Sequence, residues 1–257
     1  MIQRILEKAI QQRLGQGKAL ILFGARQVGK TTMLKNMLRE RDDVLWLNGD
    51  EQDVRSLFEN ASSTMLGAVI GKKKIVVIDE AQRIVNIGLC LKLIIDNIPD
   101  VQVVATGSSS FDLSNMINEP LTGRKIEYWM YPLSFGELVA HNGLLEEKRL
   151  LAHRLVYGSY PDVVNNVGDE KMVLSELADS YLYKDILMFD KIKKSDKLVK
   201  LLQALAFQMG SEVSYNELSQ TCGLDHKRLY SFCPWIAHTK TVSQISSCNG
   251  TLFKIMV

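Results

Sequence analysis

Short apolar runs alternate with amphipathic stretches along the first half of the chain. Five runs have the length, the apolar content and the polar flanks expected of strands, at residues 19–23, 44–48, 75–78, 101–105 and 126–130. Between them, apolar residues recur at helical spacing, as at Met33, Leu34, Met37 and Leu38. Strands that alternate with helices predict an α/β fold, in which a parallel sheet carries helices on both faces.

The second half of the chain follows a different pattern, because helical periods alone continue after about residue 143. We therefore expect an α/β domain, a helical region, a partial winged-helix-like segment and a tail, at residues 1–142, 143–195, 196–227 and 228–257. The tail contains no Asp or Glu and no sustained period, and Pro234 would end a helix there. We interpret the tail as the product of a reading-frame change or truncation near Lys227.

The winged-helix-like segment has the outline of a helix-turn-helix unit. Ser214 and Glu217 have the spacing of a capping box, Gly223 predicts the end of that helix, and Asp225 predicts the start of a second one. Such a unit either places its second helix in a DNA groove or packs against protein. The net charge of only +2 favours packing. The sequence thus predicts a DNA or protein partner through the C-terminal region and leaves the oligomeric state open.

Composition excludes several classes of protein. The 257 residues are 46% hydrophobic and 23% charged, as in ordinary globular proteins rather than disordered or fibrous ones. No apolar stretch approaches the roughly 18 residues of a membrane span, and the N-terminus leads into an amphipathic helix, which together predict a cytoplasmic location. The four cysteines and four histidines lack the spacing of a disulfide framework or a zinc site. The only metal that we expect is Mg²⁺ brought by a nucleotide.

A phosphate-binding pattern follows the first apolar run directly. Gly24-x-x-x-x-Gly29-Lys30-Thr31 matches the Walker A phosphate loop, and the required strand and helix precede and follow it. Lys30 is expected to reach the β- and γ-phosphates of ATP, and the Thr31 hydroxyl to ligate Mg²⁺. The residues predicted to bind the nucleotide are Gly24, Ala25, Arg26, Gln27, Val28, Gly29, Lys30, Thr31 and Thr32.

A carboxylate pair ends the third apolar run. Asp79, in the position of a Walker B aspartate, is expected to hold Mg²⁺ together with Thr31. The neighbouring Glu80 is suited to orient and deprotonate the attacking water. Gln82 follows closely enough to sense the γ-phosphate, although this signal is weaker.

Further candidates follow the fourth apolar run and precede the fifth. Thr106 and Ser108 are predicted sensors of the γ-phosphate, since ligands lie outside the carboxyl ends of parallel strands. The competing interpretation is that Ser109 or Ser110 caps the next helix. Arg124 could act as an arginine finger that neutralises transition-state charge, or equally as a structural salt-bridge former.

Five motifs in order resemble one group of bacterial and archaeal ATP-binding proteins, the AAA domain 14 family. They begin at Gly24, Ile78, Thr106, Leu121 and Pro132. The last reads Pro-Leu-Ser-Phe-Gly-Glu, in which Ser134 and Glu137 have the spacing of a capping box and predict the start of a helix. The resemblance implies an AAA-type core with strand order 5-1-4-3-2, followed by a winged-helix-like region and, in many relatives, a nuclease-like domain. It also carries the roles of Lys30, Thr31, Asp79, Glu80 and the sensor at residues 106–108 onto this chain. The similarity ends after Lys227.

The sequence therefore predicts a Mg²⁺-dependent ATPase that uses hydrolysis of ATP to ADP and phosphate as a conformational switch. The alternative is a nucleotide-binding regulatory or DNA-binding module whose hydrolysis is negligible. A small-molecule kinase is disfavoured, because the chain has no recognisable acceptor-site signature and no arginine-rich lid after the fourth strand.

Overall fold

The computed structural model describes residues 2–59, 61–107, 117, 120–181, 195–207, 212–225, 229, 243–246 and 252–256. Their contacts form two compact units, Met1–Glu176 and Leu177–Val257. The predicted boundary at residues 142 and 143 was drawn from the sequence pattern and stays a prediction. In the described part of the chain, no helix is both long and apolar enough to cross a membrane.

A five-stranded parallel sheet forms the centre of the first unit. Its strands are β1 (Ala19–Gly24), β2 (Val44–Asn48), β3 (Ile75–Asp79), β4 (Gln102–Gly107) and β5 (Lys125–Met130). They lie in the order β2-β3-β4-β1-β5, and every neighbouring pair is parallel. The predicted α/β class and the strand order implied by the resemblance are both confirmed.

Helices connect these strands and continue after them. Before β5 they are α1 (Ile5–Gln11), α2 (Lys30–Met37), α3 (Gln52–Glu59), α4 (Ser63–Ile70) and α5 (Ile87–Asn97), with a short 3-10 helix at Ala81–Arg83. After β5 they are α6 (Phe135–Asn142), α7 (Leu144–Arg149), α8 (Leu151–Tyr157), α9 (Pro161–Asn165) and α10 (Glu170–Tyr181). The helix α10 spans the division between the two units.

Burial explains why the central strands are apolar throughout. All six residues of β1 are buried, whereas β2 and β5, at the two edges of the sheet, are largely half-buried. Alternate residues of β1, β3 and β4 pack in one cluster with Phe58 of α3, Leu66 of α4 and Leu91 of α5. The intervening residues are buried as well. A sheet covered on both faces cannot alternate apolar and polar positions, and the continuous apolar runs reflect this.

The register brings the ends of the strands to one edge. Leu22 of β1 pairs with Thr106 of β4, and Ile78 of β3 pairs with Ala105. Because the strands are parallel, Gly24, Asp79 and Thr106 all lie at the carboxyl edge of the sheet.

The second unit contains two helices and a small antiparallel sheet among its described residues. The helices are α11 (Ser195–Phe207) and α12 (Tyr215–Cys222), and the strands β6 (Glu212–Ser214), β7 (Ser243–Ser246) and β8 (Leu252–Met256) lie in the order β6-β8-β7. Gly223 ends α12 in the left-handed region, as predicted.

One prediction for this unit is wrong. Ser214 ends β6, pairs with Leu252 and precedes α12, but its side chain makes no capping hydrogen bond. The tail, in which the sequence indicated no period, contains β7 and β8. The proposed origin of the tail in a reading-frame change stays a prediction.

Candidate nucleotide-binding site

The predicted phosphate loop connects β1 to α2. Gly24 ends β1 and packs tightly against β5, since a Cβ atom on Gly24 would lie 2.5 Å from the carbonyl oxygen of Met130. Gly29 precedes α2 with φ of 93°, and Gln27 also has positive φ. Glycine adopts such a conformation without steric cost, so the pattern of fixed glycines has a direct structural reason.

Lys30, the first residue of α2, is buried with 5% of its surface exposed. Its Nζ atom donates hydrogen bonds to the carbonyl oxygens of Gly24 and Ala25, both at 2.9 Å. The ammonium group is therefore held against the loop that the sequence assigns to phosphate binding.

Three side chains from three elements meet beside the loop. Thr31 of α2 donates from Oγ1 to Oδ2 of Asp79 at 2.8 Å, and Thr106 of β4 donates from Oγ1 to the other carboxylate oxygen of Asp79. Thr106 is fully buried. The two hydroxyl groups thus orient the Asp79 carboxylate from both sides.

Glu80 directly follows this cluster. Its backbone N–H donates to Oγ1 of Thr106 at 3.2 Å, and its Oε2 accepts a hydrogen bond from Nε2 of Gln82. Glu80 has φ of 50°, an uncommon conformation for a residue with a side chain. The amide oxygen of Gln82 is buried, and it has no hydrogen-bond partner in the described part of the chain.

The remaining loop residues differ in exposure. Ala25 and Val28 are buried, Arg26 is half-buried, and Gln27 and Thr32 are exposed. The predicted sensor Ser108 and the alternative caps Ser109 and Ser110 lie outside the described residues.

Arg124 directly precedes β5, so it lies at the amino edge of the sheet, opposite the carboxyl edge that holds the phosphate loop. The carbonyl oxygen of Arg124 accepts a hydrogen bond from the N–H of Ala19, the first residue of β1. Its Nε atom donates to Oδ1 of Asp96 at 2.7 Å, in a partly exposed ion pair. The structure therefore does not bring Arg124 to the phosphate loop of the same chain, and in this chain it forms a salt bridge.

Sequence reasoning missed one residue that contacts the loop. Arg4, which precedes α1, donates from one guanidinium nitrogen to the carbonyl oxygen of Val28 at 2.9 Å and from Nε to Glu137 at 3.1 Å. Glu137 was expected only to cap α6. No local pattern marks this pair, because 133 positions separate the two residues.

Two family models match consecutive parts of this chain. Residues 16–139 match the family model described as AAA domain (AAA_14), and residues 148–254 match one described as Domain of unknown function (DUF8612). Residues 16–139 are therefore similar to the AAA domain family. The matched stretch contains the phosphate loop, Asp79, Glu80 and Thr106, and the match supports ATP binding. The second match extends into the segment interpreted as an aberrant tail.

Relatives of this chain occur in archaea and bacteria. An uncharacterized protein of Methanocaldococcus jannaschii is 22% identical over 233 residues, which are 84% of this chain and 52% of the relative. An uncharacterized protein of Haemophilus influenzae is 27% identical over 225 residues, 78% of this chain and 54% of the relative. The chain spans about half the length of both relatives.

Solved structures resemble the chain more distantly. The Aeropyrum pernix ORC1 protein in complex with DNA is 12% identical with a TM-score of 0.43, over 100% of this chain and 89% of that one. The replication initiator DnaA bound to AMPPCP and single-stranded DNA is 14% identical with a TM-score of 0.43, over 91% and 87% of the two chains.

Proposed function

We propose that this chain is a Mg²⁺-dependent ATPase that uses hydrolysis of ATP to ADP and phosphate as a conformational switch. The observation that carries the proposal is the set of hydrogen bonds from Thr31 and Thr106 to Asp79, beside the buried Lys30. Groups that are expensive to bury are held together here at the edge where ligands of parallel α/β sheets bind.

Lys30 and the loop from Gly24 to Thr32 bind the phosphates of ATP in this proposal. The ammonium group of Lys30 already contacts the loop carbonyls, so it needs only to exchange these acceptors for phosphate oxygens. A positive group at the start of α2 adds to the favourable potential of a helix N-terminus for an anion.

Thr31 and Asp79 fit a magnesium ion. Mg²⁺ prefers oxygen ligands and keeps several waters, so one hydroxyl and one carboxylate within 2.8 Å of each other meet its requirements on the protein side. When bound, Mg²⁺ neutralises charge that develops on the phosphate oxygens during transfer. Among the described residues, no group of three or more His, Cys, Asp and Glu is arranged to hold a metal ion in another place.

Glu80 acts as the general base in this proposal. Its carboxylate accepts a proton from the attacking water, and Gln82 restrains the carboxylate through its amide hydrogen bond. Thr106 links Asp79 to the backbone of Glu80, so a change at the γ-phosphate can reach the end of β4 through this hydroxyl. In this proposal, the two hydrogen bonds of Thr106 transmit the conformational change.

The alternative is a nucleotide-binding module with negligible hydrolysis. The hydrogen bond from Gln82 favours it, because this bond occupies an oxygen of Glu80 that a water would need. The variant Glu80→Gln distinguishes the two functions. The ATPase proposal predicts that phosphate release falls by about 10²- to 10⁴-fold while ATP binding persists. Unchanged phosphate release would instead support the alternative.

The partner of this switch stays a prediction. The second helix of the expected helix-turn-helix unit was predicted to start at Asp225, and between Asp225 and Ser243 the structure describes only Leu229. DNA or protein binding through the C-terminal region therefore rests on the sequence pattern alone.

A further inference from the structure

A buried cation links four segments of the first unit. Arg4 is only 8% exposed, although it carries a charge and precedes the first helix. Its guanidinium group donates to the carbonyl oxygen of Val28 at 2.9 Å, to the carbonyl oxygen of Tyr131 at 2.5 Å and to Oε1 of Glu137 at 3.1 Å. Arginine presents five donors in a planar fork spread over three nitrogens, whereas lysine presents three donors on one nitrogen and cannot reproduce this arrangement.

Glu137 holds the other side of this contact. Its Oε1 also accepts from the backbone N–H of Ile5 at 2.8 Å, and its Oε2 accepts from the backbone N–H and the hydroxyl of Ser134. Burial alone would raise the pKa of Glu137, but these backbone donors and the charge of Arg4 lower it below its ordinary value. The carboxylate therefore stays ionised opposite Arg4.

The contact bears on nucleotide binding because Val28 belongs to the phosphate loop. Val28 lies inside the phosphate loop, between Gly24 and Lys30, and its side chain is fully buried. Tyr131 directly follows β5, which packs against Gly24 at the start of the same loop. Arg4 thus fixes the middle of the loop to the strand that supports its beginning.

We propose that Arg4 and Glu137 are positioning residues that hold the phosphate loop in its nucleotide-binding conformation. Arg4 sets the carbonyl of Val28, and Glu137 sets Arg4 while it caps α6. The inference rests on the proposed function, since it assumes that the loop binds ATP.

A second buried ion pair provides a matched control. Arg154 donates to both carboxylate oxygens of Glu147, with side chains that are 9% and 0% exposed, compared with 9% and 6% for Arg4 and Glu137. The partners of Glu147 are Arg154 of α8 and Asn142 of α6, and neither belongs to the phosphate loop. A purely structural role would make the two pairs equivalent.

The test compares Arg4→Lys with Arg154→Lys in the full chain, by equilibrium binding of ATP, ADP and AMP and by thermal unfolding. Arg4→Lys should weaken ATP and ADP binding about 10- to 100-fold and AMP binding less, because a displaced loop loses contacts to the β- and γ-phosphates. The KM for ATP should rise with kcat unchanged, since the loop binds substrate and transition state alike. Arg154→Lys should lower the melting temperature and leave all three affinities unchanged.

Equal nucleotide affinities for Arg4→Lys and the wild-type chain would overturn the inference alone. An equal loss of affinity in both variants would also overturn it, because the contact would then affect only the general stability of the fold. If Arg4→Lys does not fold, Glu137→Gln, which removes the charge and keeps the shape, must give the same phosphate-dependent loss. Absence of ATP binding by the wild-type chain would instead overturn the proposed function, and this inference with it.

Discussion

The two edges of the parallel sheet carry polar side chains of similar type but use them differently. At the carboxyl edge, Thr31 and Thr106 contact the carboxylate of Asp79, so side chains bind side chains around one point. At the amino edge, the buried Gln102 accepts from the N–H of Gly15 and donates to the carbonyl of Lys18. There, a polar side chain satisfies the backbone of a turn.

The ion pair of Arg124 and Asp96 shows that charged side chains at the amino edge also make structural contacts. Both side chains are partly exposed, and they contact each other near the start of β5, away from the phosphate loop. Exposed pairs of this kind contribute about 0–1 kcal/mol to stability. In this sheet, the charged residues of the proposed ligand site end or follow a strand or begin the helix after it, whereas Arg124 precedes a strand.

The largest expected difference between the edges comes from two matched substitutions. Asp79→Asn should weaken Mg²⁺-dependent ATP binding by about 100-fold or more, because even indirect partners of a metal contribute 10- to 100-fold. Asp96→Asn should leave this binding unchanged. Titration of each variant with ATP, with and without Mg²⁺, measures both effects. Equal losses in the two variants would show that the edges do not differ in function.

A smaller difference should follow from two glycines. Gly24→Ala places a methyl group 2.5 Å from the carbonyl oxygen of Met130 and should destabilise the fold by about 1–3 kcal/mol. Gly123→Ala meets no atom within 4 Å but has φ of 75°, which costs alanine about 1–2 kcal/mol. Denaturant unfolding checks both values. Only Gly24→Ala should also weaken ATP binding, and an equal loss in Gly123→Ala would contradict the comparison.

The smallest expected effect is a loss of folding stability at acid pH. Burial raises the pKa of Glu137, but its hydrogen bonds and Arg4 lower it overall, and the hydrogen bond from Arg41 lowers that of Asp43 at the amino edge. Groups with lowered pKa stabilise the fold above their ordinary values of 4.5 and 3.8, and this stability is lost as the pH falls further. Unfolding between pH 2 and 7 at about 0.1 and 1 M salt measures it.

The partly exposed Asp43 contribution should disappear at high salt, whereas that of the buried Glu137 should remain. Glu137→Gln should therefore flatten the acid side of the stability curve at both salt concentrations, and Asp43→Asn only at the lower one. A Glu137 contribution that high salt abolishes would contradict its buried placement.

Much of the first unit could be predicted because its signals are local. Apolar runs gave β2 at the observed residues and the other four strands within about two, and Ser134 forms its capping box with Glu137 as the spacing predicted. Thr106 was identified as a candidate site residue because ligands lie outside the carboxyl ends of parallel strands. Ser214 had the same capping pattern as Ser134, but it also ends β6, pairs with Leu252 and forms no side-chain cap. A local pattern fails where a distant segment competes for the residue.

The contact between Arg4 and Glu137 could not be predicted for the same reason. Neither residue departs from its local pattern, and only the completed fold brings them together. Arg124 directly precedes the strand predicted at residues 126–130, and in a parallel sheet this position lies at the amino edge, away from the phosphate loop. Its partner Asp96 could not be predicted, because 28 positions separate the two residues.

The most direct test of the account is phosphate release from ATP by the full chain with Mg²⁺, beside its Lys30→Ala variant. Lys30 is the buried cation of the phosphate loop, so the account predicts turnover in the wild-type chain and its loss in the variant, with ATP binding weakened in parallel. Tight ATP binding by the wild-type chain without Mg²⁺-dependent phosphate release, or release that Lys30→Ala leaves intact, would contradict it.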